Sequence, residues 1–93
     1  MLFRSDPAFG EAFIDRGMAK LALGDARGAI ADYDRVIEMH KDWPEPYYNR
    51  ALARKETGDV PGAITDCETT LKVAPAGWPH RKRVEETLRA LKD

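Results

Sequence analysis

The sequence predicts an all-α protein, an α-solenoid of two antiparallel helix pairs followed by one capping helix. Three observations lead to this prediction. First, the segments "LGDARGAIADYD" and "TGDVPGAITDCE" lie 34 residues apart and share the pattern Gly-Asp-x-x-Gly-Ala-Ile-x-Asp. Second, apolar residues recur at steps of three and four, as in amphipathic helices. Third, no segment alternates apolar and polar residues with period two, so we expect no strands.

Length and composition set limits on the function. The chain has 93 residues, enough for one domain, and its 43% hydrophobic and 33% charged content is typical of globular proteins. A net charge of −1 gives no overall field that would attract nucleic acid or an anionic membrane. No apolar run approaches the roughly 18 residues of a membrane span, and the N-terminus lacks the apolar core of a signal peptide. The single Cys67 excludes an internal disulfide and favours a reducing, cytoplasmic location.

The first helix pair is predicted over 7–23 and 26–40. Asp6 can cap the first helix, and the proline after it is favourable in a first helical turn. Gly24 is expected in a left-handed conformation that ends this helix, and Asp25 can cap the next helix at once. A connection this short forces the two helices to run antiparallel.

The second pair repeats this arrangement over 44–57 and 60–73, with Gly58 as the stop and Asp59 as the cap. The segment "KDWPEP" separates the pairs because residues before proline avoid helical angles, and "APAGWP" ends the second pair in the same way. A last helix is predicted over 79–92, with apolar residues on one face and charges elsewhere.

Small residues recur where the two helices of a pair are expected to approach each other. A larger side chain at such a position would separate the helices and reduce their packing. The positions concerned are Gly17 and Ala51, Gly28 and Gly62, and Ala29 and Ala63.

With these residues the chain resembles a tetratricopeptide repeat (TPR), whose 34-residue pattern is Trp-x₂-Leu-Gly-x₂-Tyr, then Ala-x₃-Phe, then Pro. The resemblance implies a single TPR-like domain over 1–93, with repeats at about 10–43 and 44–77 and a capping helix at about 79–92. Residues 2–7 resemble the tail of a preceding repeat. The residues that carry the resemblance are Phe13, Gly17, Ala29 and Tyr33 in the first copy, and Tyr47, Ala51, Ala63 and Pro75 in the second. Cys67 replaces the family's aromatic residue in the second copy, and Lys41 stands where the first copy would have proline.

Charged residues replace two of the usual apolar ones in both copies. Arg16 and Arg50 stand where the family has leucine, and each is followed sixteen residues later by an acid, Asp32 or Asp66. A half-buried arginine requires a partner, so we predict an ion pair across the two helices of each repeat. The alternative is that these charges are exposed and never meet. Lys20 and Arg54 replace the family's tyrosine.

In TPR arrays the first helix of each pair lines a concave groove that holds a peptide or a partner helix. The resemblance places Asp15, Asn49 and Lys55 in this groove, together with apolar residues that would not face the paired helix. The alternative is that the next helix covers these residues. Asn49 matches an asparagine of the carboxylate clamp in chaperone-binding members, but Ile14 and Met18 replace the first-repeat clamp residues, so we expect no such clamp. The predicted groove residues are Ile14, Asp15, Met18, Leu21, Tyr48, Asn49, Leu52 and Lys55, and the same positions include Glu11, Ala22, Glu45 and Glu56.

The sequence offers no pattern typical of catalysis. It has no Gly-rich phosphate loop after a strand, no Cys pair and no His-x₃-His, and His40 and His80 lie far apart. Cys67 is interpreted as a small core residue because no nearby base is indicated. The only basic cluster, "HRKR", lacks an aromatic platform for nucleic acid. We therefore expect no enzyme activity, no cofactor and no metal.

These observations favour a protein–protein interaction module with a protein or peptide partner, without nucleic acid or membrane. Two alternatives remain: a self-association module, and a non-catalytic TPR fragment of a larger enzyme. Self-association is expected at the N-terminal edge, as a homodimer, because a preceding repeat would cover its apolar residues in a longer array. These edge residues are Leu2, Phe3, Phe9 and Phe13.

Overall fold

Five α-helices form the protein, as seen in a computed structural model that describes residues 6–93. They are α1 (Pro7–Ala22), α2 (Ala26–Met39), α3 (Pro44–Glu56), α4 (Val60–Val73) and α5 (Arg81–Lys92), and no strand occurs within the described residues. α1 packs on α2, α2 on α3, α3 on α4 and α4 on α5, so each helix mainly contacts its neighbours in sequence. The all-α, TPR-like solenoid predicted from the sequence is confirmed.

The turns within the two helix pairs have matching geometry. Gly24 and Gly58 both have φ of +89°, a left-handed conformation that residues with a Cβ adopt at a cost. The Asp25 carboxylate accepts a hydrogen bond from the Gly28 N–H at 2.9 Å, and the Asp59 carboxylate accepts one from the Gly62 N–H at 3.0 Å. The predicted glycine stops and aspartate caps are therefore confirmed in both copies.

The role predicted for Gly28 is wrong, and the same correction applies to Gly62. The atoms nearest to a Cβ built on Gly28 belong to the carboxylate of Asp25, and those nearest to Gly62 belong to Asp59. These glycines leave room for the capping carboxylate at the start of the helix. They are not the closest points between paired helices.

Close approach between helices occurs at Gly17 as predicted, and Gly10, which the sequence did not indicate, lies close to a connecting segment. A Cβ on Gly17 would lie 2.5 Å from the ring of Tyr33 on α2. A Cβ on Gly10 would lie 2.8 Å from the indole of Trp43, whose ring stacks on His40 with centroids 3.9 Å apart. Gly10 therefore allows α1 to pack against the segment that joins α2 to α3.

Two small apolar clusters make up the core of residues 6–93. One cluster contains Ala29, Tyr33 and Ala53, so it joins the first helix pair to α3. The other joins α5 to the second pair, and Trp78, Leu88 and Leu91 pack around it. Its fully buried members are Ala51, Ala63, Cys67 and Val84.

Ion pairs connect the helices as the spacing predicted. Arg16 donates to both carboxylate oxygens of Asp32, at 2.7 and 2.9 Å, and Lys20 approaches the same carboxylate at 3.3 Å. Arg50 forms the same bidentate interaction with Asp66, donating to its two carboxylate oxygens at 2.8 and 2.9 Å. Because both aspartates are buried, the alternative of exposed charges that never meet is wrong.

In the second pair the network extends further. Arg54 adds a third hydrogen bond to the buried Asp66, at 3.0 Å. The remaining guanidinium nitrogen of Arg50 donates to Asp34 of α2 at 2.8 Å. Arg50 therefore joins the two helix pairs to each other as well as α3 to α4.

The start of the last helix differs from the prediction. The residues Trp78 to His80 form a turn instead of helix, and α5 begins at Arg81. The Arg81 N–H donates to the Trp78 carbonyl at 3.4 Å, which closes this turn, and the Trp78 N–H donates to the Pro75 carbonyl at 3.0 Å, which closes the turn before it. The Arg81 guanidinium donates to the Ala74 carbonyl at 3.0 Å and to the Leu71 carbonyl at 3.3 Å. These bonds hold the start of α5 against the end of α4.

Candidate peptide-binding groove

α1, α3 and the beginning of α5 enclose a cavity of about 350 Å³, here called the groove. Six of the eight residues predicted for peptide binding line it. From α1 and α3 these are Ile14, Asp15, Met18, Tyr48, Asn49 and Leu52.

The apolar groove residues differ in how far they are covered. Met18 is 53% exposed, while Ile14, Tyr48 and Leu52 are half-buried. Tyr48 also packs against the apolar cluster of α5, and its hydroxyl shares a hydrogen bond with the hydroxyl of Thr87 at 2.9 Å. α5 therefore covers part of the surface of α3, as the alternative interpretation expected, but it leaves Met18 open.

Leu21 and Lys55, the other two predicted residues, do not line the groove. Leu21 packs against the core cluster of Ala29, Tyr33 and Ala53. Lys55 lines a separate cavity of about 390 Å³, which it shares with Leu52 and with α5.

Four further residues line the groove: Glu45, Trp78, His80 and Arg83. Glu45 occupies a family groove position, but the other three come from the turn before α5 and from α5 itself. Trp43-Pro44 and Trp78-Pro79 are 35 residues apart instead of 34, so the repeat did not give their register. The contacts of Arg81 with the Leu71 and Ala74 carbonyls at the end of α4 hold the start of α5, and with it Trp78, His80 and Arg83, beside the groove.

Charge is unevenly distributed around the groove. Asp15 and Glu45 contribute carboxylates from α1 and α3, whereas Arg83 contributes a guanidinium from α5. No ion pair links these three residues within the range 6–93. The groove therefore offers charges of both signs, beside an apolar floor, for contacts with another molecule.

A second apolar surface lies at the outer face of α1. Phe9 is 43% exposed, and with Ala12, Phe13 and Arg16 it lines a cavity of about 170 Å³. Phe13 is half-buried, and the guanidinium groups of Arg16 and Arg35 lie 5.3 and 5.6 Å from its ring centre. Leu2 and Phe3, predicted for the same edge, lie outside the described residues.

The ionisable groups with shifted pKa values serve the fold. Burial raises the pKa of the Cys67 thiol to about 11, so the thiol stays protonated and unreactive near neutral pH. Burial likewise raises the pKa of Tyr33 to about 12. The hydrogen bond from Arg16 holds the pKa of Asp32 below its usual value.

Residues 6–93 lack the features of two other types of site. No cluster of three or more His, Cys, Asp or Glu side chains there is arranged to hold a metal ion. None of the helices in that range has the length and apolar character needed to cross a bilayer.

Comparison with known proteins identifies a fold and no family. No protein-family model matches the chain, and no curated protein matches its sequence. Among solved structures, the chain is similar to SycD, the type III secretion translocator chaperone of Yersinia enterocolitica. The TM-score is 0.83 at 22% sequence identity, over 94% of this chain and 62% of SycD. The chain thus spans less than two thirds of SycD, and at this identity the likeness concerns the fold alone.

Proposed function

We propose that this protein is a protein–protein interaction module that binds an apolar segment of a partner protein in the groove. The main support for this proposal is the exposure of apolar side chains on the floor of the groove. Met18 remains 53% exposed beside the half-buried Ile14 and Leu52, and it belongs to neither core cluster. Apolar side chains clustered in a concave surface favour a binding role over a purely structural one.

We also propose that the chain is a single TPR-like domain with repeats at about 10–43 and 44–77 and a capping helix. Support comes from the geometry that recurs after 34 residues. The left-handed glycines, the aspartate caps and the arginine–aspartate pairs all occur once in each helix pair. The similarity to a translocator chaperone, a protein named for assisting other proteins, agrees with a non-catalytic binding role.

The groove is tested by selecting a phage-displayed library of random twelve-residue peptides on the immobilised protein. We expect enrichment of peptides with several apolar residues. Met18→Glu should weaken their binding at least about tenfold, because a charge in the groove floor must be desolvated when the peptide binds. Leu23→Glu is the matched control, since Leu23 is 86% exposed and lies outside the groove.

Two results would reject the groove. One is a selection that enriches no peptide, and the other is an equal loss of binding in both variants. Circular dichroism of each variant must show unchanged helix content for the comparison to be valid.

A second candidate function, self-association, is favoured by the cavity at the outer face of α1. Phe9 and Phe13 are large apolar residues on the surface of a helix that has a neighbour on its other side. A second copy of this chain is the occupant proposed for this surface, which we call the α1 edge.

A further inference from the structure

A cavity of about 250 Å³ lies beside the groove, where the segment before α3 and the turn before α5 come together. It contains both tryptophans of the chain. We call it the tryptophan pocket. Its lining residues are Glu11, Trp43, Pro44, Glu45, Pro75 and Trp78.

The charged residues of this pocket are both acidic. Glu11 extends from α1 and Glu45 from the first turn of α3, and both are exposed. Neither forms an ion pair within residues 6–93, whereas the buried Asp32 and Asp66 each bind two basic side chains. The pocket therefore has uncompensated negative charge.

The aromatic residues of the pocket are held by their neighbours. Trp43 stacks on His40 with the ring planes 5° apart, and its outer edge lies against Gly10. Trp78 packs on the α5 core cluster and meets His80 edge-on at 5.2 Å. Since both rings are already fixed, a ligand that contacts them need not order them first.

Indole rings and carboxylates together form a favourable binding site for a cation. The face of an indole attracts a guanidinium or ammonium group, and an unpaired carboxylate adds a charge-assisted hydrogen bond. A guanidinium fits this combination better than an ammonium group because it is planar, stacks on aromatic rings and donates two parallel bonds to a carboxylate.

The pocket is continuous with the groove. Glu45 and Trp78 line both cavities, so a peptide in the groove that extends to these two residues reaches the tryptophan pocket. We propose that the tryptophan pocket is a specificity site that takes an arginine side chain of the groove-bound partner. This proposal rests on the proposed function of the groove, but the pocket can be tested without a peptide.

The test uses N-acetyl-arginine amide as the probe and N-acetyl-citrulline amide as its neutral control of the same shape. The chain has only two tryptophans and both line the pocket, so their two indole N–H signals in a ¹⁵N NMR spectrum report directly on it. We expect the arginine probe to shift both signals in a saturable way at millimolar concentration. The citrulline probe should leave them unchanged.

The carboxylates are tested by the double variant Glu11→Gln and Glu45→Gln, which should weaken arginine binding about tenfold. The matched control is Glu38→Gln with Glu56→Gln, which changes the net charge equally at exposed positions outside the pocket. The control should bind arginine as the wild type does.

Equal shifts with citrulline, no shift with arginine, or equal weakening in both double variants would overturn the arginine pocket. Peptide selection separates this failure from that of the groove. If apolar peptides are enriched without arginine, the groove function stands and the pocket proposal fails. If arginine binds but no peptide is enriched, the pocket is an arginine site, but the groove function fails and with it the role of the pocket in peptide specificity.

Discussion

At the scale of single residues, the two arginine–aspartate pairs look alike in sequence but differ in their surroundings. The Arg16 side chain is 60% exposed, whereas the Arg50 side chain is 17% exposed and also binds Asp34 of the preceding pair. Removing an acid from a solvated arginine costs little, but removing it from a covered arginine leaves a charge without compensation. The same spacing therefore produces interactions of different strength.

This difference predicts unequal effects of Asp66→Ala and Asp32→Ala. Asp66→Ala should lower the free energy of unfolding by about 3 kcal/mol, since Arg50 and Arg54 both lose their buried partner. Asp32→Ala should cost only about 1 kcal/mol, because Arg16 can turn into solvent. Urea denaturation followed by circular dichroism measures both values. Equal losses, or a larger loss for Asp32→Ala, would contradict the argument.

At the scale of helices, the predicted boundaries of the first four agree with the structure to within about one residue. These helices start at prolines or after aspartate caps, and glycines end α1 and α3, so the signals are local. The predicted start of α5 was wrong because Pro79 resembles a first-turn proline. The turn is instead held by the hydrogen bonds of the Arg81 guanidinium to the Leu71 and Ala74 carbonyls and by the packing of Trp78 on the α5 core cluster, which are tertiary interactions.

The same division between local and tertiary signals applies to the groove. The repeat placed residues of α1 and α3 on a common face, since its period gives the register of both helices. His80 and Arg83 were missed because they reach the groove only through the orientation of α5. Leu21 was expected in the groove, but it packs against the core cluster of Ala29, Tyr33 and Ala53.

Helix packing predicts a penalty for larger residues at Ala29 and Ala63. Both alanines have no exposed surface, and each belongs to one of the two core clusters. Replacing either by leucine should overpack its cluster and lower the free energy of unfolding by about 1–3 kcal/mol. Ala31→Leu, at an exposed position of α2, is the control and should have little effect. A melting temperature unchanged in Ala29→Leu and Ala63→Leu would show that neither contact is tight.

At the scale of the whole molecule, the solenoid has two unlike outer surfaces. α5 covers the second helix pair with Val84, Leu88 and Leu91 on its inner side and charged residues outside. At the α1 edge, the described residues present Phe9 and the half-buried Phe13. Phe9 and Phe13 correspond to Trp43 and Tyr47, which lie 34 residues later at the N-cap of α3 and within α3. α3 packs against α2. The α1 edge thus resembles a surface that is used for helix packing elsewhere in the same chain.

This resemblance predicts that two copies associate through the α1 edge. Burying a large apolar side chain contributes about 1.5–3 kcal/mol, so a few such residues favour pairing at high protein concentration. Phe9→Glu should dissociate the pair without changing helix content, and Leu23→Glu, on an exposed residue at the opposite end of α1, should not. Sedimentation velocity over a concentration series, with circular dichroism of each variant, measures both effects. A wild-type protein that sediments as a monomer up to millimolar concentration would rule out self-association, and the groove at Met18, Tyr48 and Leu52 would then be the better candidate for binding.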